Sequence, residues 1–381
     1  MPNFPLADRF PGVARLPRVQ LCDTPTSLDK AWQISERLND EAGRRLVGGL
    51  WVKRDDLTSA VYGGNKSRKL ELLLGAALAE NRRAVITFGA YGSNHALATA
   101  VHATALGLEP HVVLSPQAPG PFAARTLRAH AGLGTRLHVV EGWDGESAAA
   151  LVAAELTERD GVAPAIIPMG GTNPLGALGY VNAALEMWEQ AAPHPPVVAG
   201  PFAITMRGAT AARPDVVYVA AGTLGTAVGL AVGFALAEAP TRVVAVRVTP
   251  GEVASDKVAR ALAADTIAFL RELDPSVPPL TCGDLRFELR DDWFEPGYGV
   301  VTPETTDAVL RAADADIKLE TTYTGKAFAA LVADARANRL TGEQVLFWDT
   351  YSSAPMPPAG PDEALPAVLR SYVAECDRLF H

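Results

Sequence analysis

Lys66 is the residue whose setting most directly suggests chemistry. It follows two glycines and an asparagine in Tyr62-Gly-Gly-Asn-Lys66, and a strand-like run, WVKR at 51–54, leads into that turn. Two glycines before a helix start let the backbone approach a ligand closely. A lysine in the first turn of a helix sits at the positive end of the helix dipole, which favours its neutral form. A neutral amine suits attack on an aldehyde. The same residues also fit a solvated basic helix start in which Lys66, Arg68 and Lys69 all face water, and the pattern alone leaves the two readings level. A nucleoside-triphosphate loop fits poorly, because Asn65 stands where that loop has a glycine before its lysine.

Three further segments could join such a site. In Thr87-Phe-Gly-Ala-Tyr-Gly-Ser-Asn-His95 a strand ends in glycines and a helix opens with Ser93 or Asn94 at its cap, leaving backbone N–H groups for an anion such as a carboxylate. Locally a plain helix cap is the better reading, and His102, seven residues beyond His95 on roughly the same face, reads as structural. In Ala221-Gly-Thr-Leu-Gly-Thr-Ala-Val-Gly229 a buried strand turns into a buried helix through glycines and two threonines, the composition of a phosphate cradle without a cation. It is not the GxGxxG of dinucleotide sites, and a glycine turn without a ligand fits it too. Tyr298 in Pro-Gly-Tyr-Gly and Tyr323 in Glu320-Thr-Thr-Tyr-Thr324 are candidate pocket walls or acid–base groups. The seven histidines form neither HxH nor HExxH, so no metal is expected, and no GxSxG elbow is present.

The elements that must hold these segments alternate. Apolar strand-like runs near 50, 84, 111, 137, 165, 216, 242 and 345 are separated by helix candidates at 66–80, 93–106, 123–131, 147–159, 175–190, 226–238, 253–273, 305–313, 325–335 and 364–379. Short charge-poor strands alternating with helices mean α/β architecture, with parallel sheets covered on both faces. Residues 191–214 read as a surface insertion and 275–296 as a long irregular connection. The 22 residues 216–237 carry no charge and could span a bilayer by length, but they break at Gly222-Thr-Leu-Gly225 and read as buried strand, turn and buried helix.

The totals narrow the class. The chain has 381 residues with 48% hydrophobic and 20% charged, a globular composition with room for two or three structural units. A net charge of −9 argues against nucleic acid and membrane surfaces as partners. Cys22, Cys282 and Cys376 are widely spaced without a CxxC, as expected of reduced thiols in a cytoplasmic protein. The start, MPNFPLADRF, has no basic region followed by an apolar stretch, so no signal peptide is expected.

Taken together, the segments resemble the family of 1-aminocyclopropane-1-carboxylate deaminases and D-cysteine desulfhydrases. These are pyridoxal-phosphate enzymes with the two-domain tryptophan-synthase-β-like fold (fold type II). The likeness runs from about Leu50 to about Asp349. It is carried by KRDDLTSAVYGGNKSRKLE at 53–71, GSNHALATA at 92–100, GGTNPLGALGY at 170–180, AGTLGTAVGL at 221–230, and PGYG at 296–299 with TYTGKA at 322–327. The resemblance implies that Lys66 bonds covalently to the cofactor aldehyde and that Asn65 contacts the cofactor ring hydroxyl. Gly222, Thr223, Leu224, Gly225 and Thr226 would hold its phosphate. Ser93, Asn94 and His95 would receive the substrate carboxylate. Tyr298 and Tyr323 would be the active-site tyrosines, and Thr324 would face the pyridine nitrogen. It further implies a larger cofactor-binding domain of residues 1–64 plus 190–381, a smaller α/β domain of 65–189, Lys66 at their junction, a small amino-acid substrate and a homodimer.

Departures from the family pattern bear on the substrate. The family's ring-opening members carry Glu at the position of Thr324 and Gln at that of His95. A neutral hydroxyl suffices when a good leaving group departs from Cβ, so α,β-elimination of a D-cysteine-like amino acid is expected, with Lys66, Ser93 or a tyrosine taking the α-proton. Ring-opening deamination and β-replacement are the alternatives, and a non-catalytic cofactor-binding protein ranks last. The family's His-Thr-Gly-Gly after the last strand is Asp349-Thr-Tyr-Ser352 here, which makes Tyr351 a candidate wall of the substrate site.

Overall fold

The structure, a computed structural model, describes residues 4–141, 145–191 and 213–380. In chain order the regular elements are α1 (Pro5–Arg9), β1 (Leu28–Lys30), α2 (Trp32–Ala42), β2 (Gly49–Lys53), α3 (Asn65–Ala79), β3 (Ala84–Ala90), α4 (Asn94–Ala105), β4 (Glu109–Ser115), α5 (Pro121–Leu133), β5 (Arg136–Val139), α6 (Gly145–Asp160), β6 (Ala165–Ile166) and α7 (Pro174–Gln190). There follow β7 (Val216–Ala221), α8 (Gly225–Leu236), β8 (Arg242–Arg247), α9 (Asp256–Leu273), β9 (Phe287–Arg290), α10 (Pro303–Ala313), α11 (Thr324–Arg336), β10 (Gln344–Trp348) and α12 (Ala367–Phe380).

The chain divides into two compact units. The first comprises Met1–Pro11, Thr24–Asp55 and Tyr180–Tyr351. Its six-stranded sheet has the order β1-β2-β10-β7-β8-β9. Every pairing is parallel except that of β1 with β2. Register is fixed in the middle, where Leu346 of β10 lies between Trp51 of β2 and Val217 of β7. β7 is buried along its whole length, as its VVYVAA sequence requires of a strand covered on both faces. α8 and α11 both pack on β7 and β8, and Phe328 of α11 meets Phe347 edge-to-face at 5.0 Å. A polar knot lies inside this unit. Lys53 Nζ donates to Glu186 Oε1 at 2.7 Å, to the Thr26 carbonyl at 2.7 Å and to Gln190 Oε1 at 2.6 Å. Asp55 beside it accepts from Thr26 Oγ1, Tyr180 Oη and Trp348 Nε1.

The second unit comprises Gly12–Asp23, Asp56–Gly179 and Ser352–His381. Its four-stranded parallel sheet has the order β5-β4-β3-β6. The sequence reading puts 352–381 with the other domain. In the structure α12 packs on α5 here: Leu369, Tyr372 and Val373 cluster with Ala123, Ala124 and Leu127. Arg128 of α5 pairs with Asp362 and Asp377 at 2.8 and 2.6 Å.

Two expectations change. The connection 275–296 is not wholly irregular, because it contains the edge strand β9 paired with β8. α1, β1 and α2 also form in a stretch read without elements. The expected insertion at 191–214 lies almost entirely outside the described residues. The uncharged stretch 216–237 folds as β7, a turn and α8, and among the described residues no helix is long and apolar enough to cross a membrane.

Candidate active site

In the second unit, α3 opens behind Gly64, whose φ is 85°. Lys66 is half-buried in its first turn and donates from Nζ to Asn65 Oδ1 at 2.8 Å. The solvated reading of this helix start fails, because Arg68 and Lys69 are buried at 3% and 2% exposure. Lys69 Nζ donates to the Gly170 carbonyl at 3.1 Å, which ties the GGTNP segment to α3. Burial, and then the Lys66 ammonium, push the Lys69 amine well below its usual range.

α4 opens with Ser93 at its N-cap, where Oγ accepts from the Ala96 amide at 3.2 Å. The amides of Asn94 and His95 are first-turn donors, which have no intrahelical partner. Asn94 Oδ1 lies 3.2 Å from the Tyr62 hydroxyl, just ahead of Gly63-Gly64. His95 is placed differently from its neighbours. Its imidazole is buried on β3, with Nε2 2.8 Å from Thr87 Oγ1. Burial, then the charges of Lys66 and Lys69, hold it well below its usual value and therefore neutral. What His95 can offer a carboxylate is its amide rather than a charge. His102 contacts the Tyr62 carbonyl at 2.9 Å and Ser67 Oγ at 3.2 Å, a structural setting.

In the first unit, the turn 222–226 joins β7 to α8. Leu224 is the helix N-cap and adopts a left-handed conformation at φ 67°. A non-glycine residue is rarely held there without a local reason, and such a turn aims successive amides at one point. α8 has no side-chain hydrogen bond at its N-cap and no acid in its first turn, a setting that suits an anion. The Gly225 amide donates to the Thr223 carbonyl at 2.9 Å, which tightens the turn, and Thr223 and Thr226 bring hydroxyls to it beside the amides of Leu224 and Thr226. The donor set fits a phosphate dianion.

The tyrosines meet beside this turn. Tyr298 Oη and Tyr323 Oη are 2.6 Å apart, with the rings edge-to-face at 82°. A Cβ placed on Gly222 would lie 3.2 Å from Tyr323 Cε1, so the ring lies against the cradle. Burial pushes the Tyr298 phenol up to about 12 and Tyr323 well above its usual value. Only one hydroxyl of the pair can donate to the other, which leaves a proton on the acceptor for a third group. Thr324, 1% exposed, begins α11. Its Oγ1 accepts from the Glu320 amide at 3.0 Å, while its own proton has protein acceptors no nearer than 3.4 Å. Its hydroxyl could serve a neutral acceptor, while the Glu320 carboxylate on the Thr324 amide at 2.9 Å offsets the positive end of the helix dipole. Tyr351 is half-buried, and Lys318 Nζ lies 5.5 Å from its ring centre.

Sequence reasoning missed Glu320 and Lys69. Glu320 is the anchor of the Tyr323–Thr324 corner, since its carboxylate accepts from the amides of Thr322, Tyr323 and Thr324 at 2.7, 2.7 and 2.9 Å. An acid shortly before a helix start is a capping signal legible in Glu320-Thr-Thr-Tyr-Thr324. The second unit also holds a mainly apolar cavity of about 490 Å³ lined by Phe88, Gly89, Val113, Ala149 and Met169. Gly89 backs directly onto Ser93, because a Cβ there would fall 2.4 Å from Ser93 Cβ.

Comparison with known proteins bears on this geometry. The family model described as pyridoxal-phosphate dependent enzyme matches residues 24–350. The chain is 32% identical over 348 residues to a protein of Pyrococcus horikoshii named putative 1-aminocyclopropane-1-carboxylate deaminase, covering 90% of this chain and 93% of that one. It is 36% identical over 360 residues to nocardicin C-9′ epimerase of Nocardia uniformis subsp. tsuyamanensis, covering 90% and 97%. The crystal structure of an ACC deaminase homologue superposes with a TM-score of 0.70 at 30% identity, covering 97% of this chain and 98% of that one.

Proposed function

We propose that this chain, which belongs to the pyridoxal-phosphate dependent enzymes, catalyses α,β-elimination of a small, D-cysteine-like amino acid to a 2-keto acid and ammonia. Its cofactor is pyridoxal 5′-phosphate. The observation that carries the reaction type is the Thr324 corner. A buried hydroxyl in place of a carboxylate, its proton held only by 3.4 Å contacts to Glu320, favours a neutral pyridine nitrogen. That is a moderate electron sink, adequate when a leaving group departs from Cβ and poor for opening a strained carbon ring.

The residues divide the work by chemistry. Lys66 would carry the cofactor through its amine, with Asn65 beside the ring hydroxyl. The amides and hydroxyls of Gly222, Thr223, Leu224, Gly225 and Thr226 would hold the phosphate. Ser93 and the amides of Asn94 and His95 would take the substrate carboxylate, and Tyr351 would border its side chain. When bound, the cofactor supplies the sink for the electron pair left by the α-proton. The Lys66 amine would take that proton. The Tyr298–Tyr323 pair, protonated at neutral pH, delivers a proton to the departing group. Elimination and β-replacement share these residues until a second nucleophile intervenes, and ring-opening deamination remains the other alternative. A cytoplasmic homodimer goes with this reading, and light scattering at twice the chain mass would bear out the dimer.

A second reading is epimerisation at Cα, favoured by the relative named nocardicin C-9′ epimerase. There the α-proton is removed and returned on the other face with no bond at Cβ broken. Because that relative's name points beyond cysteine-sized substrates, bulkier amino acids belong in the test as well. The experiment is incubation in D₂O with D-cysteine, L-cysteine, β-chloro-D-alanine, 1-aminocyclopropane-1-carboxylate and larger amino acids. Pyruvate from D-cysteine or its chloro analogue supports elimination, and 2-oxobutanoate from the cyclopropane substrate overturns it. Cα deuterium without keto acid supports epimerisation.

A further inference from the structure

Lys326 has had no part in the account so far, yet it lies in the TYTGKA segment two residues beyond Thr324. It is 1% exposed, and its position in the first turn of α11 sets an ammonium at the unfavourable end of a helix dipole. Burial there costs free energy unless the charge is hydrogen-bonded. Its Nζ donates to the carbonyls of Phe294 and Gly297 at 2.9 and 3.1 Å. Both belong to the loop that delivers Tyr298.

Close to the tyrosine the backbone bonds of that loop are local to its own turns. Gly297 and Gly299 flank Tyr298 at φ 154° and 73°, backbone states that side-chain-bearing residues rarely adopt, so the chain can swivel on either side of it. The Gly297 amide donates to the Phe294 carbonyl at 3.0 Å and the Val300 amide to the Gly297 carbonyl at 3.4 Å, so Lys326 is a second donor to each of two turn carbonyls and bridges them. The Phe294 ring lies 6.0 Å from Lys326 Nζ and 5.4 Å from the Arg247 guanidinium, between two cations. Tyr323 caps the same helix that carries Lys326. One helix start therefore presents one tyrosine directly and grips the loop of the other.

We infer that Lys326 is a positioning residue that latches the 294–298 loop to α11 and so keeps Tyr298 within hydrogen-bond distance of Tyr323. Its consequence for turnover rests on the reading of the tyrosine pair as the proton donor. The latch itself does not.

The test uses the holoenzyme and four variants: Lys326→Met, Lys326→Arg, Tyr298→Phe and Lys326→Met/Tyr298→Phe. Hydrogen exchange of 294–300 should quicken about tenfold or more in Lys326→Met, while the α11 amides keep their protection. Lys326→Arg, which keeps donors, should recover most of it. Where the methionine variant does not fold, Lys326→Gln, which keeps two N–H donors but is shorter and uncharged, should still quicken this exchange, and unchanged exchange there overturns the inference equally. In turnover, kcat rather than KM should fall, and the double variant should lie within about threefold of Tyr298→Phe, since the lysine acts through that tyrosine. Unchanged exchange in folded Lys326→Met, or losses that multiply in the double variant, would overturn the inference. Full turnover by Tyr298→Phe would sink the proton-donor reading instead, and the exchange arm would still judge the latch.

Discussion

Replacing Lys53 by methionine should cost more stability than almost any other single change outside the apolar core. Both members of the Lys53–Glu186 pair have 0% side-chain exposure and lie 2.7 Å apart. The intact pair adds little net stability, because desolvation of two charges offsets most of their attraction. Removing one member is different. Methionine preserves the bulk of the lysine stem, but Glu186 keeps the Thr26 amide at 3.1 Å and loses the Lys53 ammonium. Breaking a pair of this kind costs about 3–5 kcal/mol. At roughly 2–4 °C per kcal/mol for a domain of this size, the midpoint should fall by about 6–20 °C. Urea and thermal unfolding followed by circular dichroism measure it. Lys53→Met/Glu186→Leu should recover about 2 kcal/mol or more, since it removes the stranded charge as well. A loss under about 1 kcal/mol, or a double variant no more stable than the single one, would refute the reasoning.

Other outcomes follow from the same geometry. Glu41 accepts from Arg311 and Arg336 at 2.7 and 3.1 Å, and these guanidiniums, Arg311 first, hold its carboxyl down at about 2 against 4.5. The group is partly exposed, so Glu41→Gln should cost only about 0.5 kcal/mol near pH 7. Because the folded-state value is the lowered one, that difference should be whole above pH 4.5 and vanish as pH falls toward 2, seen as converging urea midpoints. Gly222→Ala places a methyl 3.2 Å from Tyr323 Cε1. It should weaken cofactor binding by about 1–3 kcal/mol, read by fluorescence titration. Thr324→Val removes the hydroxyl proposed to bond the ring nitrogen and should weaken cofactor affinity by about 2–10-fold in the same titration.

Much of the fold was legible because the central strands are uninterrupted apolar runs. VVYVAA and RVVAVRV can be nothing but covered strands once Gly222–Gly225 breaks the longer stretch. β1 and β9 were not, since LDK and FELR are edge segments with polar residues and become strands only by pairing with β2 and β8. At the site, the helix starts at Asn65, Asn94 and Gly225 follow from glycine and cap residues, which act locally. The burial of Lys69 and the turn of the His95 imidazole onto Thr87 depend on packing that no spacing encodes. Lys53 meets Glu186 across 133 residues and Lys326 meets Phe294 across 32, so their roles emerge only when the chain is folded.

The central claim is that Lys66 carries the cofactor. Borohydride reduction of the holoenzyme, followed by digestion and mass spectrometry, tests it directly. The account predicts a pyridoxyl group on the peptide containing Lys66, and loss of cofactor absorbance in Lys66→Ala. A pyridoxyl group on another lysine, such as Lys69 or Lys326, or an absorbance unchanged in Lys66→Ala, would contradict it.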